Sequence, residues 1–147
     1  HQKNENLSKI QIIEFSILYI ILNFIDIASE KLEELSNIDF LDEKNETFKS
    51  FIVNSLIEGN NKDFINEKIK ERYNHIVNEI NENSTIQIIT KNKTHQDILE
   101  LLGELIKDHK DQNNLKKIES LEQKLINNLD ENSYSELIKL KNQINRE

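Results

Sequence analysis

Hydrophobic residues recur at helical spacing along nearly the whole chain. From Leu7 to Leu35 they fall at Ile10, Ile13, Ile17, Ile20, Ile21, Phe24, Ile27 and Ala28, with Leu18, Leu22 and Ile25 widening that face. Only a narrow polar stripe remains, through Ser16, Tyr19, Asn23, Asp26, Glu30 and Glu33. The pattern predicts one long apolar helix at the centre of the molecule. A membrane span fits poorly. The uncharged run Phe15 to Ile25 would rise about 16 Å against a hydrocarbon core of about 30 Å, and Glu14 and Asp26 flank it.

A short connection through Ser36, Asn37 and Asp39 leads to a second helix over Asn45 to Glu58. It buries Phe48, Phe51, Ile52, Ser55 and Leu56 and ends at Gly59, a residue suited to the left-handed position after a helix. A third helix is predicted over Asp63 to Asn81, with Ile65, Ile69, Tyr73, Ile76 and Ile80 on one stripe. From Asn83 to Lys91, β-branched residues alternate with polar ones, which predicts an extended connector; continuation of the third helix is the alternative. Thr94 with Asp97 three positions later is a variant of the capping box, opening a fourth helix to Lys110 that buries Ile98, Leu101, Leu102, Leu105 and Ile106. Gly103 inside it would mark close approach to another helix. Asp111 to Asn114 read as loop. A fifth helix then carries Leu115, Ile118, Leu121, Leu125 and Leu129, and a sixth, opened by a Ser133–Glu136 capping box, carries Leu137, Leu140 and Ile144.

The expected fold is therefore all-α, a bundle of five or six helices around the long apolar N-terminal one, forming a single domain over 1–147. Composition supports this. The chain has no Pro and two Gly, too few to punctuate sheets and hairpins. It has no Cys, so disulfides and thiolate chemistry are excluded. A formal charge of −8 works against binding to phosphate backbones and anionic membranes, so no nucleic-acid partner and no membrane span are expected. The chain also has no Met, so residue 1 is expected to follow a removed leader or an internal domain boundary.

Motifs for chemistry are sparse. Gly59 and Gly103 cannot form a glycine-rich phosphate loop, and no serine sits in a nucleophile-elbow setting. Glu71, His75 and Glu79 share one helical stripe, but Glu-x-x-His, which carboxylate-bridged metal bundles use, does not occur. That stripe reads as a solvated face, and His109, beside Asp108 and Asp111, as a cation near the negative end of a helix. The sequons at Asn45, Asn83 and Asn92 are what an Asn-rich chain produces by chance. No catalytic residue, cofactor or metal ligand is assigned. The candidate partner-binding residues are Ile86, Ile88, Ile89, Lys91 and Lys93. In an extended segment the three isoleucines cannot all face inward, and an exposed one beside two lysines would meet an acidic partner. The competing reading is a linker packed across helix ends.

The Lys, Glu, Asn and Ile bias, the helical pattern, and the missing Cys, Trp, Pro and Met resemble the mature helical portions of outer-surface lipoproteins of Borrelia spirochaetes. That resemblance implies a signal peptide and a lipid anchor upstream, an extracellular or cell-surface location, and binding to host proteins such as complement or matrix components in the service of immune evasion. The first expectation is thus a non-enzymatic binding module with a protein partner. The alternatives are a cytoplasmic helical assembly or adaptor protein, motivated by the stripes Ile118, Leu121, Leu125 and Leu137, Leu140, Ile144, which two short helices packing on each other explain equally well, and an enzyme with an unrecognised site.

Overall fold

The fold is that of a computed structural model, which describes residues 7–83, 85–127 and 131–145, without the side chains of 131, 133 and 145. Among these residues the chain is all-helical, with nine helices and no strand. They are α1 (Lys9–Asn23), α2 (Ile25–Ser29), α3 (Leu32–Asn37), α4 (Glu43–Ile57), α5 (Lys62–Arg72), α6 (Asn74–Asn83), α7 (Ile86–Thr90), α8 (His95–Asn127) and α9 (Glu131–Asn145). The chain divides into two compact units, residues 1–107 and 108–147.

In the first unit α1 is buried nearly all round and packs against α2, α4, α6 and α7. A capping box starts it: Gln11 N–H donates to Ser8 Oγ, and Ser8 N–H to Gln11 Oε1. The expected rod from Leu7 to Leu35 is interrupted twice. At Phe24 (φ −132°, ψ 65°) the helix breaks, and Ile27 and Ala28 donate to the Phe24 carbonyl as it resumes. Asn23 Nδ2 meanwhile takes the Tyr19 carbonyl, a side chain competing with the backbone for its acceptor. Around Lys31 the spacing tightens, as Glu30 and Lys31 donate three residues back and Ser29 Oγ donates to Asp26 O. These local bonds are what turn one expected helix into three. The polar stripe is wet at Asn23, Asp26, Glu30 and Glu33, whereas Ser16 is buried and donates to Ile12 O.

The second expected helix is found as α4, capped by Asp42, whose carboxylate accepts from Asn45 N–H. It ends as expected at Gly59 (φ 87°), where Gly59 N–H donates to Leu56 O and Asn60 N–H to Ser55 O. The third expected helix is split into α5 and α6 at Tyr73 (φ −123°, ψ 20°). The Tyr73 ring lies 5.2 Å from Phe48 and 5.1 Å from Phe51, so packing against α4 sets this break.

Further expectations are corrected downstream. The segment expected as extended contains a helical turn, α7. The fourth and fifth expected helices are one continuous α8, because Asp111, Gln112, Asn113 and Asn114 cost helix propensity but include no Pro or Gly to stop it. His109 consequently lies inside a helix, buried, rather than at a helix end. A Cβ added to Gly103 would meet only the end of the Lys31 side chain, at 3.8 Å, so no close backbone approach demands glycine there.

In the second unit the end of α8 and α9 share a small core of Ile118, Leu121 and Leu137, with Leu125, Leu140 and Ile144 packed beside it. Both sequence stripes are therefore turned toward each other. Leu129 lies outside the described residues, as does the side chain of Ser133, and α9 starts ahead of Ser133 at Glu131.

Candidate functional site

The predicted binding segment lies on α7 and the turn that joins it to α8. Within a helical turn residues advance about 100° each, so Ile86 and Thr90 fall on one side and Ile88 opposite. Ile86 and Thr90 are accordingly buried, while Ile88 is 78% and Ile89 51% exposed. Thr90 Oγ1 donates to Gln87 O, which closes the turn. Lys91 N–H donates to Ile88 O and Lys93 N–H to Thr90 O, and Asn92 takes the left-handed conformation (φ 61°) that Asn tolerates better than most residues. The expected capping box then opens α8: Asp97 N–H donates to Thr94 Oγ1 at 3.1 Å, and Thr94 N–H to Asp97 Oδ2 at 3.4 Å.

Between this turn and the first turns of α8 lies a shallow groove of about 270 Å³. Ile89, Ile98 and Leu101 supply its apolar lining, and Lys93, Asp97, Glu100 and Glu104 its rim. Of the five predicted residues, Ile89 and Lys93 line the groove. Ile88 and Lys91 are exposed without lining it, and Ile86 belongs to the core. The rim carries three carboxylates against one ammonium, so the charge complement of this groove is a basic partner rather than the acidic one the lysines alone would suggest. Asp97, Glu100 and Glu104 fall at positions i, i+3 and i+7 of one face of α8, outside the segment that the sequence singled out.

A second constellation, buried in the first unit, escaped the sequence reading. Glu14 on α1 is fully buried, and its carboxylate accepts from Leu41 N–H at 2.6 Å and Asp42 N–H at 3.4 Å, just ahead of α4. Lys49 on α4 is 2% exposed, and its ammonium donates to the carbonyls of Leu35, at 2.8 Å, and Ile38, at the end of α3. Glu46 pairs with that ammonium at 3.2 Å and also accepts from Phe40 N–H. Lys49 lies 5.1 Å from the centre of the Phe40 ring. The link from Ile38 to Asp42 thus has the Ile38 carbonyl and the N–H groups of Phe40, Leu41 and Asp42 bound by side chains from α1 and α4. Each charged group is engaged by hydrogen bonds, and the arrangement serves to fix the chain. The spacing of Glu14 from Ile10 and Ile17, and of Lys49 from Ile52, had placed both on apolar faces.

Other polar groups noted in the sequence are dispersed among the described residues. Glu71 ends up on α5 while His75 and Glu79 are on α6, and Glu79 pairs with Lys44. Among the described residues no group of three His, Asp or Glu side chains is placed to hold a metal ion, and no helix is long and apolar enough to cross a membrane. His95, at the start of α8, bonds through Nε2 to Glu30 Oε2 on the surface. Comparison with known proteins yields no match to this chain among family models, characterised proteins or solved structures.

Proposed function

We propose that this chain is a non-enzymatic protein-binding module that engages its partner along the α7–α8 groove of the first unit. The observation that carries the reading is the exposure of Ile88 and Ile89 beside the Ile98 and Leu101 lining. Fully burying one such side chain is worth about 1.5–3 kcal/mol, so covering this edge is a ready source of affinity. The carboxylates at 97, 100 and 104 select a partner segment that combines apolar with Lys or Arg side chains. The compositional resemblance to spirochaete surface lipoproteins supplies the setting we favour, display at a cell surface with host complement or matrix proteins as partners.

The experiment is retention of serum and matrix proteins on the immobilised chain, run beside the double variant Ile88→Lys with Ile89→Lys. The expected result is a specific protein whose affinity drops at least about tenfold in the variant, the loss of roughly 1.4 kcal/mol. Identical retention by both forms, or none by either, contradicts the proposal.

A further inference from the structure

We infer that the second unit is a self-association surface, on which the exposed flank of the α8–α9 hairpin docks against the same flank of a second copy of this chain. The inference uses different residues from the proposed binding groove and goes beyond it. Only three residues separate α8 from α9, yet both helices share one core and Glu122 reaches Lys141, ten residues into α9, at 3.4 Å. The chain must therefore double back, and the two helices run antiparallel. On α8, Leu115 and Ile126 lie about three turns apart, some 60–80° round from the stripe that Ile118 leads. On α9, Tyr134 and Ile138 are displaced in the same rotational sense from the stripe that Leu137 leads. Antiparallel helices bring equal rotational offsets to the same side of the pair. Leu115, Ile126, Tyr134 and Ile138 consequently form one apolar flank, and all four are exposed, Ile126 at 75%.

Size and charge identify the occupant. The unit spans forty residues and has three buried apolar residues in its core among those described. Units of about this size usually need oligomerisation, metal or disulfides to hold, and the chain has no Cys. Residues 1–107 carry twelve Lys and Arg against nineteen Asp and Glu, a formal −7, whereas residues 108–147 carry seven against eight, a formal −1. Two copies meeting through the second unit thus avoid the repulsion that the first unit would impose. On the flank itself the Glu122 carboxylate is matched by Lys141 within one copy, so these charges beside the apolar residues largely cancel before two flanks meet. Two hairpins meeting this way make a four-helix arrangement.

The test is sedimentation equilibrium of the full chain from micromolar to sub-millimolar concentration. A monomer–dimer equilibrium is expected. Ile126→Lys with Ile138→Lys should weaken it at least about tenfold at unchanged helix content, while Ile88→Lys leaves it intact. Should the pair of substitutions lower helix content, Tyr134→Lys decides in its place. A monomer at every concentration overturns the inference, as does a dimer unaffected by these variants or equally weakened by Ile88→Lys. Capture of a different protein on this flank of a monomeric chain overturns it too.

Discussion

The two units solve the problem of burying a helix face in opposite ways. In residues 1–107 more than twenty buried apolar side chains, six of them on α1, form one core, and even the link between α3 and α4 is held from inside by Glu14, Glu46 and Lys49. In residues 108–147 two helices share three buried apolar residues among those described, and Leu115, Ile126, Tyr134 and Ile138 stay exposed. The first unit has enough interior to bury charges and turn them into structural ties. The second has too little interior to cover its own apolar residues. Surplus core permits internal polar ties, whereas a deficit of core leaves apolar surface for another chain to cover.

The sharpest way to break this contrast is to remove a tie from the well-enclosed unit. Lys49→Ala leaves the Leu35 and Ile38 carbonyls and the Glu46 carboxylate without their shared ammonium. Unfolding in denaturant should show a loss of about 3–5 kcal/mol, the range for breaking a buried ionic pair from one side. A loss under about 1 kcal/mol would mean that solvent replaces the ammonium freely. Next in size, Leu121→Ala takes one of three anchors from the smaller core and should cost about 2–3 kcal/mol. Hydrogen exchange should locate that loss in α9, with α1 amides keeping their protection; equal loss in both would erase the distinction between the units. The smallest effect is of opposite sign. Gly103→Ala meets only the tip of Lys31 and removes a helix-interior glycine, so thermal denaturation should show stabilisation by up to about 1 kcal/mol. Destabilisation would reveal a steric limit that the 3.8 Å contact does not impose.

Local signals that act within a few residues were legible in the sequence. The Thr94–Asp97 box, the stop at Gly59 and the facing stripes of the second unit are each fixed by neighbours along the chain. The breaks at Phe24 and Tyr73 were not. The first coincides with Asn23 taking a backbone acceptor and the second with two Phe rings on another helix, neither of which periodicity encodes. The β-branched alternation from Thr85 to Thr90 suggested an extended segment, but β preference reflects packing surroundings, and here no neighbouring strand offers them among the described residues. Beside the groove, exposure of an isoleucine was legible because Ile86, Ile88 and Ile89 could not all face inward, although a helical turn rather than the expected extended alternation brings it about. The acidic rim was hidden because its residues come from the next helix.

Lys49 carries one more consequence. Its amine, tied to two backbone carbonyls and sealed beneath the Phe40 ring, is beyond the reach of an acylating reagent in the folded protein. Exposed amines such as Lys44, Lys91 and Lys93 remain open to the same reagent. The rate at which mass spectrometry finds Lys49 tagged, relative to those three, is therefore a built-in clock for how often the α3–α4 junction comes apart.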